Sequence, residues 1–316
     1  MTFNYFQLFD TINIQIFLGN EKKNIYCIPE TGEFMYKNFL IGLILLSLVL
    51  ISAGTVSAAN NITTITSSQN SVSTTVASTP KVVIINKATG GDLSKNSILM
   101  KYIKKTVLAK QIISKAKYGT PLVRFGNGNG PVVLIVAGVH GNELPAPAAA
   151  MKLINYLNGK KIKGTVYVVP FVIPYNTAHK IRYWHGKNPN SIANIHGSPT
   201  NIIVNLAVKL HVNAIGDFHS TKPGGDPGKK SVFCSIFPTT QSYDIAWYIS
   251  KKTGSSLLAY KTAGKDYPGA VEDVSNLRGI PAVTCEVIST HGTLNLSKVN
   301  SSFNQMISLL KYFKVL

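Results

Sequence analysis

Acidic residues are scarce in this sequence of 316 residues. Thirteen Asp and Glu stand against 32 Lys and Arg, which gives a formal net charge of +19, and four of the acids (Asp10, Glu21, Glu30 and Glu33) precede residue 35. A basic surface suits nucleic acid, but the sequence lacks interleaved aromatic and basic residues and a helix-turn-helix pattern. We therefore expect no nucleic acid partner, and an anionic cell envelope or an acidic substrate fits the charge equally well.

The sequence before residue 60 carries little that predicts a packed domain. Residues 1–34 are of low information, whereas Lys37 precedes an apolar run of about 15 residues that is followed by small residues up to Ala59, as is typical of a secretory signal peptide. We expect Met35 to be the true start, residues 1–34 to be an upstream extension and residues 35–59 to be the signal peptide. The alternative is an uncleaved membrane anchor, although the run is short for a span of about 30 Å. Both interpretations give a secreted or cell-surface protein that contacts the membrane through this segment alone.

Cysteine is scarce too, with three residues in the chain. Cys27 would be lost with the upstream extension. Cys234 and Cys285 remain, and export permits a disulfide between them, although the sequence does not fix the distance between their Cα atoms. Cys285 stands next to Glu286 in an apolar strand, so its side chain is expected on the opposite face, and we do not interpret it as a nucleophile.

The rest of the chain can bury a large core, since 45% of the residues are hydrophobic. Residues 60–80 are rich in Ser, Thr and Asn and predict a linker. Residues 81–118 predict a short strand and then a basic amphipathic helix over residues 93–117, which packs on the domain or, as the alternative, lies on an anionic surface. Residues 119–316 are expected to form the main domain.

The most informative stretch is PVVLIVAGVHGNE, residues 131–143. Its apolar, β-branched part predicts a strand that is buried on both faces, as at the centre of a mostly parallel sheet. His140 and Glu143 follow this strand at the end where open α/β sheets place their ligands, and both side chains can reach one cation. Gly138 and Gly141 let the backbone turn tightly enough. The alternative is a plain helix start, in which Glu143 faces the helix dipole and His140 bonds to the backbone.

A catalytic zinc ion usually has three protein ligands and an open position for water. A second apolar strand ends in the sequence DFH, so His219 is the candidate third ligand. Asp217 lies two residues earlier on the same face of the strand, where it can orient the imidazole or bind backbone donors. A third apolar strand, residues 283–288, carries Glu286, which is costly there unless it is paired, metal-linked or functional. Glu286 is therefore the candidate base.

A polar loop over residues 174–190 lacks acids. This composition suits recognition of a substrate carboxylate by the forked guanidinium of Arg182, and a solvated surface loop is the alternative. The glycine- and proline-rich segment 220–230 predicts a rim or lid beside the metal.

The motifs HGNE (His140 to Glu143), DFH (ending at His219) and TCE (ending at Glu286) together resemble the zinc carboxypeptidase superfamily, particularly its succinylglutamate desuccinylase/aspartoacylase-like branch. The resemblance covers residues 120–316. It implies a three-layer α/β/α sandwich around a mixed, mostly parallel twisted sheet. It also implies one Zn2+ ion held by His140, Glu143 and His219, with Glu286 as the general acid and base.

The resemblance extends to the residues that contact substrate. The acylase branch carries an Asn-x-Ala element followed by Arg-Tyr, which matches Asn176, Arg182 and Tyr183, and it implies that Arg182 clamps a substrate carboxylate. A further Asp-x-Asn-Arg element of the family survives here in Asn190, but Ser191 stands in place of its arginine. This departure bears on how the scissile carbonyl is polarised and on which substrate is bound.

A tyrosine ahead of the last strand of the site also contacts substrate in carboxypeptidase relatives. Tyr267 is the first candidate for that role and Tyr260 the second. His291 follows Glu286 by five residues and either contacts the site or is an ordinary loop histidine.

These observations predict an exported zinc-dependent hydrolase that cleaves an amide bond of a peptide or an N-acyl amino acid. Export and the basic surface favour a peptide, while the HGNE and Arg-Tyr motifs favour an N-acyl amino acid. A non-catalytic cell-surface binding module that keeps the fold is the alternative, motivated by Ser191 and the stalk-like linker.

Overall fold

The computed structural model describes residues 12–18, 21–27 and 80–316, which belong to two compact units, residues 1–73 and 74–316. In the first unit, β1 (Ile12–Leu18) and β2 (Glu21–Cys27) pair antiparallel. The start at Met35, the signal segment and the linker up to residue 79 lie outside the described residues and stay predictions. Within the described ranges, no helix has both the length and the apolar character that crossing a membrane requires.

The second unit is built on an eight-stranded sheet, and the predicted α/β fold around a mixed, mostly parallel sheet is confirmed. The strand order is β3-β4-β6-β5-β7-β10-β8-β9. The pairings of β5 with β6 and β7, of β7 with β10 and of β8 with β9 are parallel. The strands are β3 (Lys81–Asn86), β4 (Thr120–Gly126), β5 (Val132–Ala137), β6 (Thr165–Val169), β7 (Ala214–Thr221), β8 (Ser231–Phe237), β9 (Ser256–Thr262) and β10 (Ala282–Ile288).

Helices cover both faces of this sheet and give the predicted three layers. One core cluster joins the sheet to α2, α3, α6 and α8, and a second joins its other face to α5 and α7. The α-helices are α1 (Ser97–Tyr102), α2 (Val107–Ala116), α3 (Pro145–Leu157), α4 (Pro174–His179), α5 (Pro199–Lys209), α6 (Gln241–Thr253), α7 (Val271–Leu277) and α8 (Leu296–Tyr312).

The packing of the central strand β5 explains why its sequence is apolar throughout. Val133, Ile135 and Ala137 pack into the first cluster, while Leu134 and Val136 pack into the second. Successive side chains of a strand point to opposite faces, so a strand between two helical layers needs an apolar residue at every position. Each such valine or leucine side chain contributes roughly 1.5–3 kcal/mol when it is buried.

The segment predicted as one helix over residues 93–117 is divided into two. The Asn96 side chain accepts a hydrogen bond from the Leu99 amide at 3.0 Å, and the Thr106 hydroxyl accepts one from the Ala109 amide at 3.2 Å. Side chains of this kind cap the start of a helix, so α1 and α2 each begin at their own cap. The apolar side of α2 is buried in the core, and β3 pairs with β4, so this segment shares the sheet of the residues that follow.

Candidate metal centre and active site

The HGNE loop lies between the end of β5 and the start of α3. A Cβ atom on Gly141 would lie 2.1 Å from the carbonyl carbon of Asn176 and 2.5 Å from the amide nitrogen of Thr177. Glycine is therefore required where the loop passes against the backbone of α4. The loop turns the buried side chains of His140 and Glu143 toward the edge where β7 and β10 also end.

His140, Glu143 and His219 come together at this edge. Each offers one ligand atom, and the three atoms lie within 4.8 Å of one another. Nδ1 of His140 lies 2.8 Å from Oε1 of Glu143, and Nδ1 of His219 lies 2.9 Å from Oε2 of Glu143. Nδ1 of His140 is buried and has no hydrogen-bond partner among the described residues. Two imidazoles and one carboxylate, with a further position open for water, form a donor set that fits a catalytic zinc ion.

Each imidazole has a further polar group against its other ring nitrogen. Oδ2 of Asp217 lies 2.9 Å from Nε2 of His219, in the position that was predicted for an orienting carboxylate. Nε2 of His140 lies 2.7 Å from Oδ1 of Asn188. Such partners fix the orientation of ligand imidazoles. Sequence reasoning missed this contact of Asn188, because it depends on a loop that returns to the site 48 residues later.

Glu143 and His219 stabilise each other's charged forms, and His140 also stabilises that of Glu143. Burial alone would raise the pKa of Glu143, but His140 and His219 act against it and hold that pKa well below its usual range. Burial would lower the pKa of His219, but Asp217 and Glu143 raise it well above the usual value. The backbone amide of Ser220 donates a further hydrogen bond to Oε2 of Glu143 at 3.0 Å. The carboxylate of Glu143 is therefore ionised and fixed, as a metal ligand must be.

Glu286, the predicted acid and base, lines the same cavity from β10. Burial, and then the nearby charge of Glu143, raise the pKa of Glu286 well above its usual range. Its Oε2 atom is inaccessible to solvent and has no hydrogen-bond partner within residues 80–316. A carboxyl group with a raised pKa and a free oxygen is suited to accept and return a proton near neutral pH. Cys285, next to it, is buried in the core on the other face, and Cys285 and Cys234 are both free.

Arg182 contacts a metal ligand directly, whereas a residue that clamps a substrate carboxylate is expected farther from the metal. Its Nη1 atom donates a hydrogen bond to Oε1 of Glu143 at 2.6 Å, and one third of its side chain is exposed to the cavity side. The guanidinium therefore brings a permanent positive charge to the centre itself. His291 also approaches the centre, with Nε2 3.8 Å from Oε1 of Glu143 and 3.1 Å from the carbonyl oxygen of Ser220.

The other predicted substrate residues fall into two groups. Tyr183, Asn190 and Tyr267 line the cavity. Asn190 also accepts a hydrogen bond from the Val271 amide at 3.2 Å and so fixes the start of α7. Asn176 is buried away from the cavity lining, where its amide donates to the carbonyl oxygen of Tyr183 at 3.0 Å and supports the loop.

The cavity has a volume of about 440 Å³. Besides His140, Glu143 and Glu286, it is lined by residues of the 222–226 segment, which lies within the segment 220–230 predicted as a rim or lid. It is also lined by residues of β8 and of the start of α7 that sequence reasoning did not assign to the site. Their signal in the sequence is weak, because each is a single residue within or next to a regular element. The lining residues of these three segments are Lys222, Gly225, Asp226, Phe233, Ala270 and Glu272.

Residues 129–192 match the family model of the succinylglutamate desuccinylase/aspartoacylase catalytic domain. The matched segment contains the HGNE loop and the Asn176 to Ser191 element, and it confirms the resemblance to this family, part of the zinc carboxypeptidase-like superfamily. No curated protein matches the chain.

Solved structures share the fold at low sequence identity. A succinylglutamate desuccinylase from a Silicibacter species has 18% identity and a TM-score of 0.51, with 63% of each chain covered. The product-bound ectoine utilization protein EutE (DoeB) from Ruegeria pomeroyi has 17% identity and a TM-score of 0.51, also with 63% of each chain covered. A variant of the cell shape determinant protein Csd4 from Helicobacter pylori has 17% identity and a TM-score of 0.52, with 62% of this chain and 55% of that chain covered. The match thus spans less than two thirds of the length of each of these proteins.

Proposed function

We propose that residues 80–316, of which residues 129–192 match the family model of the succinylglutamate desuccinylase/aspartoacylase catalytic domain, form a zinc-dependent hydrolase of this family that cleaves an amide bond. The observation that carries the proposal is the convergence of His140, Glu143 and His219 beside the cavity that Glu286 lines, where Oε2 of Glu286 has no hydrogen-bond partner within residues 80–316. The substrate is a peptide or an N-acyl amino acid.

The three ligands would hold one zinc ion, and when bound the ion supplies a Lewis acid that acidifies water and polarises a carbonyl oxygen. Glu286 takes a proton from the attacking water onto its carboxylate while the water oxygen bonds to the carbonyl carbon. Glu286 then returns that proton to the amide nitrogen as the carbon–nitrogen bond breaks, so an acid and an amine leave. The raised pKa of Glu286 favours the second of these steps.

Arg182 supports the developing oxyanion in this proposal. Its guanidinium is held against Glu143 at 2.6 Å, so it needs no rearrangement to bring positive charge to the reacting carbonyl. Fixed donors of this kind stabilise charge that appears in the transition state. This role differs from the clamp on a substrate carboxylate that the sequence predicts for Arg182.

The experiment measures zinc content and amide hydrolysis on the full chain. A panel of short peptides and N-acyl amino acids is incubated with the protein, and released amines are quantified. We expect about one zinc per chain, loss of turnover with a chelator, and a loss of about 10²-fold or more in Glu286→Gln. The exposed Asp244 provides the matched control Asp244→Asn, which should keep full turnover.

A protein that binds no zinc, or that hydrolyses nothing in the panel with zinc bound, would refute the enzymatic proposal. Bound envelope material without turnover would favour the non-catalytic module, for which Ser191 is the specific observation.

Export remains part of the proposal on the strength of the apolar run over residues 39–53 and Lys37 before it. The amino-terminal sequence of the mature protein is expected to begin near Ala59. A mature protein that retains residues 1–34 would contradict both the signal peptide and the start at Met35.

A further inference from the structure

The acids of this basic chain are concentrated around the cavity. Nine acids follow residue 80, and in the part of the chain that the structure describes six of them surround the cavity. Four line it, and Asp217 and Asp273 lie directly behind the lining. Two of these six are explained by the metal centre and one by the proton transfer. Three acids, Asp226 and Glu272 in the lining and Asp273 behind it, remain without a role in the reaction.

Asp226 is held in place by an aromatic group. The Tyr267 hydroxyl donates a hydrogen bond to Oδ2 of Asp226 at 3.0 Å, and the Tyr260 hydroxyl donates to that of Tyr267 at 3.3 Å. The Tyr267 ring stacks on Phe233, with ring centroids 5.4 Å apart and an interplanar angle of 22°. A carboxylate beside aromatic rings is a combination that binds ammonium groups, since the ring faces are electronegative.

Glu272 supplies a second carboxyl group of the lining. Its side chain is 3% exposed, lines the cavity and accepts a hydrogen bond from the Ser235 amide at 2.7 Å. Asp273 lies behind it and accepts hydrogen bonds from the Ser235 hydroxyl at 3.0 Å and from the Gly264 amide at 2.8 Å. A protonated carboxyl group still has acceptor capacity beyond one hydrogen bond, so Glu272 can accept a further donor from the cavity.

Cations that would favour an anionic substrate group are few in the lining. Where the family carries an arginine, the Ser191 hydroxyl donates a hydrogen bond back to the carbonyl oxygen of Asn188 at 2.9 Å, and Ser191 is not among the described residues that line the cavity. Arg182 is engaged by Glu143. Besides Arg182, Lys222 is the one lysine or arginine that lines the cavity within residues 80–316.

We propose that Asp226, with the faces of Phe233 and Tyr267 and with Glu272 as a polar neighbour, forms a subsite that selects a substrate with a protonated amine. This proposal rests on the proposed hydrolase function and names its substrate class: an amide whose acyl part or amine part carries a cationic side chain or a free ammonium group. A carboxylate at the same place would meet the charge of Asp226 without the arginine that could neutralise it.

The test compares substrates that differ in one charge. Each of ornithine, norvaline and glutamate is tested in three forms: as the first residue of a dipeptide with alanine, as the second residue of such a dipeptide, and as the N-acetyl amino acid. Within each form the three side chains have similar length and are positive, neutral and negative. We expect the full chain loaded with zinc to cleave the best ornithine compound about 10-fold or more faster, in kcat/KM, than its norvaline partner, which is the range of a hydrogen bond to a charged group. The glutamate compound should be poorer than both.

The ratio of kcat/KM for the ornithine compound to that for its norvaline partner should approach one in Asp226→Asn and stay unchanged in Asp244→Asn. Glu272→Gln, which resembles the protonated acid, should keep most of this ratio near pH 7. A second readout uses metal-free protein and titrates pentylamine against pentanol by calorimetry. Pentylamine should bind more tightly, and the difference should shrink in Asp226→Asn.

The outcomes separate this proposal from the one on which it rests. Hydrolysis without preference for ornithine, or with preference for glutamate, would refute the cationic subsite and leave the hydrolase intact. Absence of hydrolysis together with selective pentylamine binding would refute the hydrolase and support the subsite. Equal binding of pentylamine and pentanol by the metal-free protein would count against the subsite whatever the turnover.

Discussion

Glu272→Gln should change how the stability of the protein depends on pH. Burial, and then the charge of Asp273, raise the pKa of Glu272 from 4.5 to about 8. The folded protein therefore keeps a proton on this group between pH 4.5 and 8, whereas the unfolded chain has lost it. Because the unfolded state binds fewer protons in this range, the free energy of unfolding falls as pH rises.

The size of the effect follows from the two pKa values. A separation from 4.5 to about 8 corresponds to about 5 kcal/mol as an upper limit, and the part lost between pH 5 and pH 7 is about 2 kcal/mol. Glutamine has the shape of the protonated acid, so it can still accept the hydrogen bond of the Ser235 amide and donate to Asp273. Glu272→Gln should match the parent protein at pH 5 and exceed it by about 2 kcal/mol at pH 7, or about 4–8 °C in Tm for a domain of this size.

The assay is chemical or thermal unfolding of both proteins from pH 5 to pH 8, with the difference between them plotted against pH. Groups that do not interact with Glu272 cancel in this difference, and Cys234, whose pKa burial and Glu272 raise to about 12, stays protonated in the folded protein over this range. Asp244→Asn on the exposed side of α6 is the control and should give a difference that does not vary with pH. A constant difference for Glu272→Gln, or a variant that becomes less stable as pH rises, would refute the reasoning.

Three further substitutions test the centre. Asp217→Asn should weaken zinc binding about 10- to 100-fold, because it removes the charge that orients His219, and competition with a chelator measures this; an unchanged affinity would contradict that role. Arg182→Met should lower kcat about 10²-fold with little change in KM if the guanidinium stabilises the oxyanion, whereas a large rise in KM with unchanged kcat would restore the carboxylate clamp. Gly141→Ala should destabilise the fold by about 1–3 kcal/mol, because its methyl group meets the backbone of Asn176, and a wild-type Tm would show that the loop can move.

The metal centre could be predicted from the sequence because each ligand follows or ends a buried strand. β5 and β7 are neighbours in the sheet, and β10 lies on the other side of β7. The carboxyl ends of these parallel strands meet at one edge, so His140, Glu143, His219 and Glu286 converge although 146 positions separate the first from the last. Apolar runs of this kind can be recognised in a single sequence and predict buried strands.

The rest of the site could not be predicted in the same way. α7 is seven residues long and begins among acids, and β9 lies at the edge of the sheet with alternating partial exposure, so neither gives a strong periodic pattern. The contact of Asn188 with His140 and the part of the cavity lined by Asp226 and Tyr267 depend on loops that return from distant positions. Asn176 has a polar side chain in a substrate-binding motif, yet the packing of the HGNE loop against α4 buries it as support.

The charge of the whole chain and the charge of the cavity act over different distances, and salt should separate them. A net charge of +19 repels a small free cation beyond the cavity, while Asp226 of the subsite attracts it within a few ångström. Screening acts over about 8–10 Å near physiological ionic strength and mainly weakens the longer-range field. Raising salt should therefore increase kcat/KM for a free ornithine dipeptide. For the same dipeptide tethered to an anionic polymer, the long-range field is attractive, so salt should decrease kcat/KM. If salt changed kcat/KM in the same direction for both substrates, the basic surface would have no part in delivering substrate. Its partner would then be a molecule that does not take part in the reaction.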